Sequence, residues 1–208
     1  MNNLDQFFTE ANKTTEPAAH YAQAYCQYLG KVLAQLDYVS IGKFADLLIK
    51  TRQLDKQIFF IGNGGSAATA THFANDLQIG PTPHTKNSFK AISLTDNNAI
   101  ISCIANDFGY DEIFRRQLEV LMRDGDIVVA ISASGNSPNI IKALEFCKEK
   151  GNYTIGLSGF DGGKLKQMCD LSINIETPKG EYGPVEDLHM VMDHLVSTFL
   201  IRKVKSSV

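Results

Sequence analysis

The sequence has no surplus of positive charge, since 23 aspartates and glutamates outnumber 20 lysines and arginines for a formal net charge of −3. Proteins that bind nucleic acid usually present a basic face, so this balance gives no support for such a partner. The chain also lacks any apolar run near the roughly 20 residues that span a bilayer. Its N-terminal segment, MNNLDQFFTEANKTTEP, does not have the basic and then apolar stretches of a secretory signal. We therefore expect a cytoplasmic protein that binds neither nucleic acid nor membranes.

Paired cysteines are missing as well. The 4 cysteines are scattered without a Cys-x-x-Cys pair, which indicates neither a disulfide framework nor a cysteine zinc site. Cys103 and Cys147 lie among apolar neighbours and are expected to be small buried residues. The sequence has no internal repeat, low-complexity segment or flexible linker. We therefore predict a single domain over residues 1–208.

Short segments that are apolar on nearly every position predict the strands of a buried parallel sheet. These segments are residues 57–61, 88–94, 126–131, 153–157 and 171–175. Helical patterns alternate with them, at residues 66–79, 97–105, 111–123, 138–150 and 163–169. The alternation predicts an α/β fold, in which a five-stranded parallel sheet lies between helices as a three-layer sandwich.

Helical patterns also flank this predicted sheet core, which spans about residues 55–180. Residues 16–35 and 41–51 lie in an N-terminal helical extension of about residues 1–54, and residues 183–205 form one long C-terminal helix. The apolar positions of the last helix cover a wide face. They are Val185, Leu188, Val191, Met192, Leu195, Val196, Phe199 and Leu200. Such a face packs either on partner subunits or on the sheet of its own chain.

Two loops rich in glycine and serine connect predicted strands to helices. The first strand ends in residues 62–66, Gly-Asn-Gly-Gly-Ser, where adjacent glycines allow a tight turn and close approach of a ligand. Ser66 is placed to cap the next helix, whose free N–H groups favour an anion. The third strand ends in a segment with Ser132, Ser134 and Ser137, and Pro138 suits the first position of the helix that follows.

Either loop alone is also typical of a capped helix start, which is commoner than a phosphate site. Together, however, the loops follow two strands of one parallel sheet, and open α/β sheets bind ligands at the carboxyl ends of their strands. Neither loop has the Walker A or the Gly-x-Gly-x-x-Gly pattern of nucleotide sites. The pair therefore predicts a site for the phosphate end of a small molecule.

The segments GNGGSAATATHFANDL and ISASGNSPNIIKAL, which contain these loops, resemble the two signature loops of the sugar isomerase (SIS) domain family. Within that family the similarity is greatest to the subgroup that isomerises sedoheptulose 7-phosphate, and it runs from about residue 29 to residue 202. The resemblance implies a flavodoxin-like fold, a homotetramer with active sites between subunits, and a zinc ion. It also implies a phosphosugar substrate, with sedoheptulose 7-phosphate to D-glycero-D-manno-heptose 7-phosphate as the expected aldose–ketose reaction.

His72 and Asp76 lie four residues apart on the helix after the first loop, so they share one face. Without the resemblance, they would be interpreted as a surface pair worth a few tenths of a kcal/mol. The family isomerases have a histidine and a glutamate at these positions, which implies that Asp76 is the base that removes a carbon-bound proton. Aspartate is one methylene shorter, so its carboxylate lies about 1 Å further from the substrate.

Glu186 and His194 lie eight residues apart on the C-terminal helix, about 80° around its axis, and are expected to flank one cleft. The resemblance implies that His194 is the acid–base partner of Asp76. The family's zinc ligands correspond to His72, Asp76, Glu186 and His194, although the family has a glutamine where Glu186 stands. His189 either orients Glu186 or is an ordinary core histidine.

The remaining substrate contacts implied by the resemblance are Asn63, Gly64, Gly65, Ser66, Asp96, Asn97, Ser132, Ser134, Ser137 and Glu186. Asp96 and Asn97 are equally suited to cap a helix. Ala133 replaces a hydroxyl residue of the family, and an arginine before the last helix is missing. Two alternatives remain: a catalytically silent SIS protein that binds a protein partner, and a sugar-phosphate-sensing regulatory domain. The intact GNGGS loop and histidines disfavour the first, and the lack of a helix-turn-helix pattern disfavours the second.

Overall fold

The computed structural model describes residues 2–83, 85 and 87–206. Within them a sheet is formed by β1 (Gln57–Gly62), β2 (Lys90–Ser93), β3 (Ile127–Ser132), β4 (Tyr153–Gly159) and β5 (Leu171–Ile175). All neighbouring strands pair in parallel, in the order β2-β1-β3-β4-β5. This is the flavodoxin-like order. The predicted α/β fold, with a five-stranded parallel sheet flanked by helices, is confirmed.

The helices agree with the predicted alternation, with one addition. They are α1 (Asn3–Ala11), α2 (Pro17–Leu33), α3 (Tyr38–Gln53), α4 (Gly65–Ile79), α5 (Asn98–Phe108), α6 (Ile113–Leu121), α7 (Pro138–Lys150), α8 (Gly163–Met168) and α9 (Tyr182–Lys205). A single 3-10 turn precedes α6. Helix α1 was not predicted, although Asn2 caps it by accepting a hydrogen bond from the amide of Asp5. The helix packs on α2 through an edge-to-face contact of Phe7 with Tyr28.

Both faces of the sheet are buried, as its apolar strands predict. Successive side chains of a strand point to opposite faces, so Phe60 packs on one side of β1 while Phe59 and Ile61 pack on the other. On the first side Phe60 stacks on Phe73 of α4, and Phe44 of α3 meets the same ring edge-on. Helices α6 and α7 cover the second side. The sheet therefore holds α4 firmly against the end of β1.

Helices α4 and α9 lie side by side and run in the same direction. Their contacts share a nearly constant sequence offset of 121 or 122 positions, and they join Gly65 with Glu186, His72 with His194, Asp76 with Ser197, and Gly80 with Ile201. A constant offset requires parallel helices of equal rise. Both helices consequently begin at the edge of the sheet where the parallel strands end.

The wide apolar face of α9 is only partly buried within this chain. Val185, Leu188, Met192, Val196 and Leu200 are buried in the core of the chain itself. The other predicted members, Val191, Leu195 and Phe199, are 40%, 40% and 48% exposed. Among the described residues, no helix has both the length and the apolar character that crossing a membrane requires.

The cysteines agree only in part with expectation. Cys147 is buried on α7, as predicted. The expectation for Cys103 is wrong, because α5 turns this residue to the surface, where its thiol lies 3.6 Å from a carboxylate oxygen of Asp107.

Candidate active site

The two glycine- and serine-rich loops lie at the point where the strand order reverses. They follow β1 and β3, which are neighbours in the sheet although β2 intervenes in sequence. Ligands of open α/β sheets bind at such a switch point. A cavity of about 180 Å³ lies between the loops. We call it the phosphate cavity; its lining is Asn63, Ser66, Ile131, Ser132, Ala133, Ser134, Ser137, Tyr182 and Glu186.

A pair of asparagines joins the two loops. The side-chain amide of Asn63 donates to Oδ1 of Asn139 at 2.9 Å, and that of Asn139 donates to Oδ1 of Asn63 at 2.8 Å. The hydroxyl of Tyr110 donates to Oδ1 of Asn63 at 3.1 Å. Asn139 is buried, so water does not compete for the two hydrogen bonds that its side chain forms with Asn63. This partner could not be predicted from the sequence, because an asparagine at the start of a helix usually forms hydrogen bonds with nearby backbone groups.

Side chains do not cap the helices that begin at these loops. The N-cap of α4 is Gly64 at φ +55°, and neither it nor Ser137, the N-cap of α7, makes a side-chain capping bond. The prediction that Ser66 caps α4 is wrong, because the glycine turn starts the helix earlier and places Ser66 inside its first turn. At the start of α4 the N–H groups of Gly65 and Ser66 therefore remain available to an anion. In α7, Pro138 has no N–H, and the N–H of Ile140 is bonded to Oδ1 of Asn139 and to the carbonyl of Ser137.

A second glycine keeps the loop after β3 in position. Gly135 has φ +62°, and a Cβ on it would overlap the carbonyl group of Gly162 in the loop after β4. Only glycine fits both conditions. The loop that carries Ser132, Ser134 and Ser137 is therefore packed against the loop after β4, and this packing holds its conformation without a ligand.

A cluster of four possible metal ligands lies further along α4 and α9. It consists of His72, Asp76, Asp193 and His194, whose ligand atoms all lie within 4.8 Å of one another. From Nε2 of His72 the distances are 3.2 Å to Nε2 of His194, 3.7 Å to Oδ1 of Asp76 and 3.9 Å to Oδ2 of Asp193. Imidazole nitrogen and carboxylate oxygen are common ligands of zinc and related ions.

Asp193 provides a separate reason to consider a cation in this cluster. Its side chain is fully buried, and neither carboxylate oxygen has a hydrogen-bond partner among the described residues. Burial, and then the charge of the nearby Asp76, raise the pKa of Asp193 to about 8. A buried carboxylate without a partner is costly, and a bound cation would supply one. The residues present therefore fit a metal ion.

Glu186, which was predicted as a metal ligand, is not part of this cluster. Its carboxylate lies against Gly65 in the phosphate cavity, and Asp193 is in the cluster instead. The physical reason is the rise of the helix. Eight residues separate Glu186 and His194 by about 80° around the axis but also by about 12 Å along it. Asp193 was detectable as an acid among the inward-facing positions of α9, next to Met192.

The other predicted residues lie beside these two sites. Asn97 caps α5 through the amide of Ile100, while Asp96 accepts a hydrogen bond from Thr71, the neighbour of His72, at 2.5 Å. Neither residue lines the phosphate cavity.

His189 belongs to the core rather than to either site. It is fully buried, and its ring Nε2 lies 3.3 Å from the carbonyl oxygen of Ser158. Burial lowers the pKa of His189 to about 4. The ring is therefore neutral near pH 7, and its N–H donates to the carbonyl. No hydrogen bond joins it to Glu186 in the described part of the chain.

The sequence matches the SIS domain family over residues 20–159, which include both loops and the His72–Asp76 pair. The chain belongs to the SIS domain family. A phosphoheptose isomerase of Geobacter sulfurreducens is 41% identical to this SIS protein over 156 residues, covering 74% of this chain and 82% of the relative.

Solved structures of phosphoheptose isomerases have the same fold as this SIS protein. The phosphoheptose isomerase of Neisseria gonorrhoeae aligns with a TM-score of 0.72 and 32% identity, over 88% of this chain and 95% of that one. A phosphoheptose isomerase of Francisella tularensis aligns with a TM-score of 0.77 and 26% identity, over 89% and 96%.

Proposed function

We propose that this SIS protein is a phosphosugar aldose–ketose isomerase that interconverts sedoheptulose 7-phosphate and D-glycero-D-manno-heptose 7-phosphate. The observation that carries the proposal is the placement of two sites along one pair of parallel helices. The phosphate cavity lies where α4 and α9 begin, and the histidine–carboxylate cluster lies about two turns further on. Relatives named phosphoheptose isomerase at 41% and 32% identity support it.

The spacing of the two sites suits a long sugar chain. The seven residue steps from Gly65 to His72 rise by about 10 Å along α4. An extended chain advances about 1.2 Å per bond, which puts C2 of a heptulose 7-phosphate about 8 Å from phosphorus and C2 of a pentulose 5-phosphate about 6 Å from it. The heptulose therefore brings its reacting carbons closer to the cluster when its phosphate lies in the cavity.

The chemistry requires proton transfer between C1 and C2 through an ene-diol. We assign Asp76 as the base that takes the carbon-bound proton, because its Oδ2 is held by the hydroxyl of Ser197 at 3.3 Å. We assign His194, which is exposed beside it, as the group that exchanges protons with the sugar oxygens. Thr71 and Asp96, adjacent to the cluster, are suited to contact sugar hydroxyls.

We further propose that the ion is zinc, held by the four-residue cluster. Two histidines with carboxylates form a common zinc ligand set. When bound, zinc supplies a Lewis acid that polarises the sugar carbonyl. Because the cluster offers two carboxylates, one of them can remain available to accept a proton.

We also propose a homotetramer in which active sites form between subunits. The support is a stripe of exposed apolar side chains on α9, Val191, Leu195 and Phe199, at spacings of four residues. The stripe adjoins His194 on the same helix, so a second copy that covered it would border the cluster. A cytoplasmic location stays a prediction.

The experiment that tests the function is an isomerisation assay with a panel of C5, C6 and C7 ketose phosphates in the presence of zinc. Sedoheptulose 7-phosphate is expected to be the best substrate, and unphosphorylated sedoheptulose is expected to be inert. Equal turnover of phosphorylated and unphosphorylated sugars would overturn the role of the phosphate cavity. Failure of the whole panel would favour the silent protein that binds a partner.

A further inference from the structure

Two carboxylates on α9 face two different sites. Glu186 and Asp193 are seven residues apart, which places them on the same face of the helix and about 10 Å apart along its axis. Glu186 therefore lies level with the start of α4, and Asp193 lies level with His72. In this structure the two acids therefore lie at different sites.

Asp193 is positioned to hold a metal ion. Its side chain is fully buried, its Oδ2 lies 3.9 Å from Nε2 of His72, and both oxygens lack a hydrogen-bond partner among the described residues. An unpaired buried charge is strongly destabilising, whereas a paired one is tolerated. The neighbouring ligand atoms of His72, Asp76 and His194 leave a cation as the partner that suits this position.

Glu186 has a different environment. It is half-buried, its carboxylate packs against Gly65, and it lines the phosphate cavity with Asn63, Ser66 and Tyr182. It carries the only charge among the described residues that line this cavity, and none of them donates a hydrogen bond to it. A phosphate dianion would be repelled by this carboxylate, whereas the hydroxyl groups of the adjacent sugar carbons are donors that match it.

We propose that Asp193 completes the metal site in this chain, and that Glu186 is instead a specificity-determining residue that accepts hydrogen bonds from the hydroxyl groups of the bound sugar phosphate. The role of Glu186 rests on the proposed isomerase function, but the role of Asp193 does not. This division departs from the ligand set that the family resemblance implies, in which Glu186 holds the metal.

The metal half is tested by zinc affinity, measured on metal-stripped protein by competition with a chromophoric chelator. Asp193→Asn is expected to weaken zinc binding at least 10-fold, by loss of a charged ligand. Glu186→Met is expected to bind zinc within about 2-fold of the parent, as are the exposed control variants Asp46→Asn and Glu145→Gln. Asp193→Leu repeats the first test without a buried polar group. A 10-fold loss of zinc affinity in Glu186→Met overturns the proposal even if the Asp193 variants do not fold, and so does unchanged affinity in folded Asp193→Asn.

The substrate half is tested by calorimetric titration with sedoheptulose 7-phosphate and, separately, with inorganic phosphate. Glu186→Met is expected to bind the sugar phosphate about 10-fold more weakly, because charge-assisted hydrogen bonds are lost. Glu186→Gln, which keeps one acceptor, is expected to fall in between. Inorganic phosphate is expected to bind both variants at least as tightly as the parent. Unchanged sugar-phosphate affinity in Glu186→Met overturns this role. A parent that binds inorganic phosphate but no sugar phosphate contradicts the proposed function and leaves the metal result standing.

Discussion

Nε2 of His72 lies 3.2 Å from Nε2 of His194, although 122 positions separate the two residues in sequence. The parallel packing of α4 and α9 produces this contact, since an offset of 121 positions, only one fewer, separates Asp76 from Ser197. Two ring nitrogens at this distance share either a proton or a cation. The contact thus joins the helix of the first loop to the C-terminal helix at the proposed reaction centre.

Substituting His194→Gln is expected to reduce turnover of sedoheptulose 7-phosphate by about 10²–10⁴-fold, the range typical of a positioned acid–base group. Steady-state kinetics with zinc present measures this loss. The exposed His20 provides the matched control, and His20→Gln is expected to retain the activity of the parent. Near-parental turnover in His194→Gln would remove this residue from the mechanism.

The amide pair between Asn63 and Asn139 is expected to stabilise the loops that form the phosphate cavity. Asn139→Ala leaves the side-chain N–H of the half-buried Asn63 without its partner, while Tyr110 still donates to its Oδ1, and is expected to cost about 1 kcal/mol of the free energy of unfolding. A double-mutant cycle with Asn63→Ala, measured by urea unfolding, isolates the interaction. Fully additive losses would show that the two side chains do not stabilise each other.

The buried ring of His189 predicts a loss of stability in mild acid. Its pKa is lowered from 6.5 to about 4 in the folded chain, so below pH 6.5 the unfolded chain binds the extra proton. Stability is therefore retained above pH 6.5 and falls towards pH 4, by about 3 kcal/mol from this group. The raised pKa of Asp193 acts in the opposite direction between pH 4 and 8. The free energy of unfolding of the whole chain therefore changes less with pH than His189 alone would cause.

Urea unfolding of the parent and of His189→Gln, both with a chelator present, separates these contributions. The difference in free energy of unfolding between the two proteins is expected to shrink as the pH falls from 7 to 4.5. The reason is that the unfolded parent binds a proton at this position, whereas the unfolded variant does not. His20→Gln serves as the exposed control. A difference that is constant with pH would mean that His189 is not held neutral by burial.

The exposed apolar stripe on α9 predicts self-association. Phe199→Glu and Leu195→Lys are expected to shift the sedimenting species from a tetramer to smaller assemblies, because a charge in an apolar interface is unpaired. Val120 on α6 is 68% exposed, and Val120→Lys is the matched control that should leave the assembly intact. A monomeric parent at micromolar concentration would contradict the tetramer and the intersubunit site.

The sheet and both loops could be predicted because their signals are local. Strands buried on both faces need continuous apolar runs, and turns such as the one at Gly64 need glycine. The ends of the strands were predicted less accurately. Strand β2, for example, was predicted over residues 88–94 but spans only Lys90–Ser93. Helix α1 was missed because it is only 9 residues long, which is too short for a helical period to be distinguished with certainty.

The candidate site was harder to predict, because its composition depends on how two distant helices align. His72 and Asp76 share a face by spacing alone, but their partners on α9 follow from the 121-residue offset. The family resemblance implied Glu186 as a metal ligand, whereas the position of Asp193 along the helix places it in the cluster instead. The pairing of Asn63 with Asn139 depends in the same way on the adjacency of β1 and β3.

The measurement that tests the isomerase most directly is exchange of solvent deuterium into C1 of sedoheptulose 7-phosphate, followed by magnetic resonance in the presence of zinc. It detects the ene-diol even when net turnover is slow. The parent is expected to exchange, Asp76→Asn to exchange at least 100-fold more slowly, and Asp76→Glu to retain exchange because a longer carboxylate still reaches the proton. Absence of exchange in the zinc-loaded parent, or equal exchange in the parent and Asp76→Asn, would contradict the assignment of Asp76 as the base.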